Sequence, residues 1–296
     1  MGLGILVVAR AETVIFGTAP VSVQTDWGLL DATRLHLRSA AVLVVDDQGR
    51  VVYEKHARQV KPIASITKLM TAMVVLDAGL PMDEPVTILD ADRDRLRNSR
   101  SRLRTGKATL TRAEMLAVAL MSSDNRAASA LGRTSLPGGT RAFVQAMNRK
   151  AQTLGMLDSH FADASGLAAA NRSTAEDLGK MVRAAVRYPF IRQATTRERM
   201  EVNPYGNGFT LEYRNTNPLV RNASPDWRIQ LSKTGYINEA GRCLVMQADI
   251  AGRSFSIVLL DSSGKLTPVG DSNRLRKWLE SELGKERHRR PSGAGG

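Results

Sequence analysis

The sequence predicts a mixed fold of the α/β (α+β) class: an antiparallel sheet flanked by helices, with a helical subdomain inserted into it. Three features carry that prediction. Short β-branched apolar runs bounded by turn residues stand near both ends of the chain. The middle carries apolar residues at helical spacing, and two of its helical stretches open on capping sequences. A chain that runs strands, helices, strands and a last helix closes most simply as one sheet completed by both ends.

In chain order, Ala40 to Val45 and Val51-Val52-Tyr53 flank the turn residues Asp46-Asp47-Gln48-Gly49 and read as a hairpin. From Pro62 the period changes: Ile66, Leu69, Met70, Met73, Val74 and Leu76 fall at helical spacing, and Gly79 closes the run. Thr111-Arg112-Ala113-Glu114 has the capping-box pattern ahead of Leu116 to Met121, and Ser173-Thr174-Ala175-Glu176 repeats it ahead of Leu178, Met181 and Val182. Between them Phe143, Met147 and Leu154 mark a helix, so the helical insertion covers about 63–190. Strands return after about residue 205, with 243–250 and 255–260 joined at Ala251-Gly252-Arg253. Asp271 is expected to cap a last helix through Leu275, Trp278, Leu279 and Leu283. That leaves 37–283 as the folded body and 284–296, with Lys285, Arg287, Arg289, Arg290 and four glycines, as a basic disordered tail. Residues 1–36 form a separate N-terminal segment. Its apolar Leu3 to Val8 precedes Ala9-Arg10-Ala11, the small-x-small look of a cleavage site without a basic stretch before it, and reads as the remnant of a signal peptide.

Composition narrows the function. Of 296 residues 43% are hydrophobic and 24% charged, the mixture of a globular protein. The 42 Lys+Arg against 29 Asp+Glu give a net charge of +13, which favours anionic partners. The densest basic run, Arg93 to Lys107, lacks interleaved aromatics and any DNA-reading motif, so it reads as a solvated face and not as a nucleic-acid site. Cys243 is the single cysteine and sits in an apolar strand, which makes it a core thiol. The four histidines show no ligand spacing, so neither a metal nor another cofactor is expected.

Chemistry concentrates in three short motifs: Ser65-Ile66-Thr67-Lys68, Ser123-Asp124-Asn125 and Lys233-Thr234-Gly235. Ser65 and Lys68 open a predicted helix, where residues three apart share a face and touch. A serine hydroxyl becomes a strong nucleophile when a base takes its proton, and lysine serves as that base once its pKa falls well below ~10.4. Desolvation or a second cation would lower it, and Lys233 is the expected second cation. Read separately, Lys68 is a surface helix lysine, Ser65 an N-cap, Ser123 to Asn125 a loop and Lys233 an edge-strand lysine. The order and setting of all three together displace that reading. A second SxxK, Ser262 to Lys265, lies in a glycine-containing loop where nothing aligns its ends, and is a chance match.

The set SxxK, S-D-N and K-T-G is that of penicillin-binding proteins and class A β-lactamases. The residues around it, at 62–72, 119–128 and 233–243 and in Asn215-Thr216-Asn217-Pro218, resemble the D-alanyl-D-alanine carboxypeptidase and endopeptidase family. They are most similar to its type 7 low-molecular-mass penicillin-binding proteins, the DD-endopeptidases, although those usually carry Glu where this chain has Asp124. The likeness runs from about 37 to 283, which makes that body a DD-peptidase catalytic domain of the penicillin-binding/β-lactamase-like fold. It implies an acyl-ester on Ser65 with Lys68 as general base. Ser123 would pass a proton to the leaving amine, Asn125 would hold the substrate backbone, and Lys233, Thr234 and Gly235 would receive its carboxylate end. The backbone N–H groups of Ser65 and Tyr236 would form the oxyanion hole. It also implies peptidoglycan stem peptides as substrate, β-lactams as covalent inhibitors, export to the periplasm, and at most peripheral membrane contact through the basic tail.

A class A β-lactamase needs a glutamate after S-D-N to activate the deacylating water, and none occurs between Arg126 and Ala175. The expected acyl-enzyme is therefore long-lived; Asp158 and Asp163 are the acids left to activate water otherwise. A non-catalytic β-lactam sensor or wall-binding module would normally be tethered to a membrane segment, which this sequence lacks. The stretch after Gly235 has no room for the β-rich domain and anchor helix that the family's carboxypeptidases append. That favours cleavage of cross-links over trimming of a terminal D-alanine.

Overall fold

The computed structural model describes residues 27–289, and its main compact body begins at Asp31. β1 (Ala41–Asp46) and β2 (Val51–Lys55) form the first hairpin. After the two-residue β3 (Lys61–Pro62), a 3-10 turn at Ala64–Ile66 leads into α1 (Thr67–Asp77). β4 (Pro85–Thr87) pairs with β5 (Thr109–Thr111), followed by α2 (Arg112–Met121), α3 (Asn125–Thr134) and α4 (Gly139–Thr153). β6 (Arg172–Ser173) returns to pair with β3, and α5 (Ala175–Ala185) and α6 (Pro189–Thr196) follow. β7 (Arg199–Val202) and β8 (Leu211–Arg214) make a small hairpin ahead of the one-turn α7 (Pro218–Arg221). The chain then runs through β9 (Arg228–Ile237), β10 (Gly241–Ile250), β11 (Arg253–Ser262) and α8 (Thr267–Arg289).

The main sheet is antiparallel, in the order β2-β1-β11-β10-β9, so both ends of the chain complete it and β9 is an edge. All six residues of β1 are buried because the sheet is covered on both faces. Leu43 and Val45 join the core that includes α1, α2 and α5, and Val42 and Val44 point the other way. The second face is closed by α8, whose Leu275, Leu279 and Leu283 are buried. α1 and α2 are buried nearly all round, from Thr67 to Val75 and from Met115 to Met121, and so give the middle of the fold a rigid centre.

Local chemistry explains the helix starts and corrects three expectations. At α2 the capping box is as expected: Thr111 Oγ1 accepts from Glu114 N at 3.2 Å, and Glu114 accepts from Thr111 N at 2.9 Å. At α5 the cap is Thr174, not Ser173: Ser173 lies in β6 with its hydroxyl against Ser159 at 2.7 Å, and Thr174 accepts from Asp177 N at 3.1 Å. Asp271 does not cap α8 but lies inside it. Its carboxylate accepts from Ser39 N at 2.7 Å and from Arg38 N at 3.1 Å, fastening the helix to the approach to β1. Helical hydrogen bonding also carries α8 past Gly284 to Arg289, where disorder was expected; residues 290–296 lie outside the described residues, as does the 1–26 part of the signal-peptide reading. Among the described residues no helix is long and apolar enough to cross a membrane.

Candidate active site

The three motifs, far apart in the chain, meet where α1, the α2–α3 connection and β9 converge. Ser65 sits in the 3-10 turn just before α1, not in the helix itself, and Lys68 is the second residue of α1. Lys68 Nζ donates to Ser65 Oγ at 2.8 Å, to Asn125 Oδ1 at 2.7 Å and to the Ser165 carbonyl at 2.6 Å. Asn125 opens α3, whose cap is Asp124: its carboxylate accepts from Ala127 N at 3.0 Å and from Ser101 Oγ at 2.7 Å. Lys233 Nζ donates to Ser123 Oγ at 2.9 Å and to the Thr234 carbonyl at 2.8 Å, and the hydroxyls of Thr234 and Thr216 are 2.6 Å apart. Both lysines are 1% exposed, so Lys68 is not a surface helix lysine, and Lys233 is buried although it stands on the edge strand β9.

The backbone is bent to make these contacts. Ala64 and Ser123 adopt φ of 48° and 64°, left-handed conformations that cost a non-glycine residue roughly 1–3 kcal/mol when the surroundings enforce them. Two glycines let other segments press against the Ser65 turn. A Cβ on Gly166, at φ 82°, would lie 2.1 Å from the Ala64 carbonyl oxygen, and one on Gly235 would lie 3.2 Å from Ser65 N.

Electrostatics follow from burial. Loss of hydration lowers Lys68 to about 7, against the opposing pull of Asp163 and Asp124. Burial, and after it the charge of Lys68, holds Lys233 well below the usual lysine range. Desolvation, one of the two expected causes, is thus the main reason for the depression of Lys68, and the two buried ammonium groups disfavour each other's charge. Burial raises Asp124, with the Ala127 N–H and Ser101 hydroxyl opposing. It also pushes the Cys243 thiol up to about 12, as befits a core thiol.

Asp163 and the Ser165 carbonyl complete the site. Burial raises Asp163, but donors outweigh it and hold the carboxylate below its usual range. These are Ser165 N and Gly166 N at 2.6 Å, Ser165 Oγ at 2.7 Å, Asn171 Nδ2 at 2.8 Å and Ala168 N at 2.9 Å. This saturated carboxylate folds 163–171 into the loop that presents the Ser165 carbonyl to Lys68. Asp158 is exposed, and its backbone N–H reaches Asp177 at 2.9 Å. The second SxxK is not a site: Ser262 is fully buried, with its hydroxyl 2.8 Å from that of Ser39. Nor is the basic run a plain solvated face, since Arg97 reaches the Leu167 carbonyl at 2.6 Å and Glu239 at 2.9 Å.

Ser65, Ser123, Asn125, Thr234, Gly235 and Tyr236 open on a cleft of about 650 Å³ that continues along Arg221, Arg242, Lys265 and Leu266. Among the described residues no group of three or more His, Cys, Asp and Glu converges as a metal site requires.

Residues 31–264 match the family profile described as D-alanyl-D-alanine carboxypeptidase. The D-alanyl-D-alanine endopeptidase of Pseudomonas aeruginosa is 46% identical over 246 residues, 83% of this chain and 78% of that protein. The Escherichia coli protein of the same name is 43% identical over 267 residues, 89% and 84% of the two chains. Among solved structures, the Streptomyces K15 DD-transpeptidase superposes with a TM-score of 0.74 at 28% identity, over 82% of this chain and 97% of its own. Penicillin-binding protein D2 from Listeria monocytogenes, in its cefotaxime-bound form, gives 0.72 at 28% identity, over 83% and 98%.

Proposed function

Because the chain belongs to the D-alanyl-D-alanine carboxypeptidase family of serine DD-peptidases, we propose that it cuts the D-alanyl cross-link between peptidoglycan stem peptides through an acyl-ester on Ser65. The observation that carries this reading is the set of acceptors around Lys68 Nζ. Asn125 Oδ1 and the Ser165 carbonyl can only accept, so a neutral Lys68 gives them its two N–H groups and turns its lone pair toward Ser65 Oγ. That is the arrangement of a general base, and a pKa of about 7 keeps the neutral amine well populated near neutral pH.

In the proposed sequence Ser65 Oγ attacks the D-alanyl carbonyl while its proton passes to Lys68. The backbone N–H groups of Ser65 and Tyr236 hold the oxyanion, a device worth roughly 3–4 kcal/mol per donor where measured. Close seating of Gly235 on the Ser65 turn supports that pairing. Ser123, bonded to Lys233, relays to the leaving amine the proton that Lys68 took from Ser65, and the C–N bond breaks. Asn125 steadies the substrate backbone, and Thr234 with Lys233 receives the carboxylate of the leaving residue. Water then hydrolyses the ester. Among the described residues lining the cleft none is an acid, and Asp163 is saturated, so the penicilloyl-enzyme is expected to persist.

Preference for cross-links is supported by the endopeptidase names of the relatives at 46% and 43% identity; the family description favours carboxypeptidase action as the second reading. A peptidoglycan substrate supports action in the periplasm, with β-lactams as covalent inhibitors, no nucleic-acid partner and at most peripheral membrane contact. Treatment with a labelled penicillin followed by peptide mapping is expected to mark the peptide containing Ser65. Label on Ser262, or rapid turnover of the drug, overturns the assignment.

A further inference from the structure

The cleft extends past the groups that acyl transfer uses. From Ser65 and Thr234 it crosses β10 at Arg242, Cys243 and Leu244 and reaches Lys265 and Leu266 ahead of α8. At about 650 Å³ it has the size of sites that enclose a ligand of many atoms, ~300–1,000 Å³. One terminal alanine leaves most of it empty.

Its charge is one-sided. Arg221, Arg242 and Lys265 line it, and no Asp or Glu stands among its described lining residues. The acids nearby in the chain are engaged elsewhere: Glu239 pairs with Arg97 at 2.9 Å and Asp261 with Lys61 at 2.8 Å. The Arg242 guanidinium lies 3.9 Å from the centroid of the Tyr236 ring, and that ring is 50% exposed at the cleft. Stacking orients the planar group while its N–H edge stays able to grip a carboxylate with two parallel bonds.

Resting on the acyl-transfer reading, we infer that this cationic extension is the leaving-group subsite. In it Arg242, seated on Tyr236 and assisted by Lys265, binds a carboxylate of the acceptor peptide beyond the one next to the scissile amide. Thr234 marks the near end of the subsite and the extension continues from it across β10. The preferred substrate is then a D-alanyl amide whose leaving group is an acidic peptide.

Two synthetic substrates with the same acyl part test this. Both carry the carboxylate next to the scissile amide; the leaving peptide of one ends in a second carboxylate and that of the other in its amide. The wild-type protein is expected to favour the acid by about tenfold in kcat/KM, as a charge-assisted bidentate contact supplies. Arg242→Ala is expected to abolish the preference and Arg242→Lys to keep part of it, and penicillin still acylating Ser65 in both reports that each variant is folded. A wild type without preference, or an Arg242→Ala variant that retains it, overturns the subsite inference alone. Failure of penicillin to acylate Ser65 in the wild type overturns the reading beneath it.

Discussion

Lys68 has the ionisation its proposed role requires because near-complete burial strips the hydration that would hold its charge. A lysine that titrates at about 7 loses its proton as pH rises through 7, so acylation of Ser65 by a penicillin is expected to climb through pH 7 and flatten above it. The unfolded chain binds that proton up to ~10.4, so this lysine makes stability rise with pH between about 7 and 10. Asp163 raises Lys68 and orders the loop that supplies the Ser165 carbonyl. Asp163→Asn is therefore expected to lower the acylation rate by about a hundredfold through misplacement, and to move the midpoint of the profile toward acid. A slowed variant with an unmoved midpoint would leave Asp163 a structural role only. Ser65, Lys68 and Lys233 are legible in the sequence because side chains carry their chemistry. Ser165 is not, since its contribution is a backbone carbonyl placed by the turn that Asp163 ties.

At the scale of elements, the site stands on two buried helices and an edge strand. α1 brings Lys68, the end of α2 leads to Ser123, and β9 lays Lys233 and Gly235 across from both. The approach of β9 to the Ser65 turn depends on Gly235, where a Cβ would meet the Ile63 carbonyl oxygen at 3.0 Å and Ser65 N at 3.2 Å. Gly235→Ala is expected to keep the fold and cut penicillin acylation by about a hundredfold, since small displacements at a reacting centre have that effect. Acylation at the wild-type rate would show that the turn yields and that β9 need not sit so close. The capping box at Thr111 and the β1–β2 and β10–β11 hairpins are readable from local sequence. The pairs β3–β6, β4–β5 and β7–β8 are not, because strands of two to four residues are set by tertiary contact and leave no period to read. The cap at Thr174 lies one residue past the expected Ser173 for a similar reason: the two-residue β6 claims Ser173 first.

Over the whole molecule, both ends of the chain close one sheet around the inserted helices, and Asp271 fastens α8 to the approach to β1. This closure was legible as strands returning after the helices; the buried role of Asp271 was not, because the same residue type also caps helices. The fold brings residues 65, 123 and 233 together at one end of a long cationic cleft, with room beyond the scissile bond for a second peptide. In the proposed function this room serves cross-link cleavage. The most direct measurement incubates the purified protein with a mixture of cross-linked muropeptide dimers and pentapeptide monomers and follows both by mass spectrometry, with Ser65→Ala as the blank. Dimers are expected to become monomers before free D-alanine accumulates, with no change in the blank. Release of D-alanine while dimers persist would contradict the claim and make the protein a carboxypeptidase.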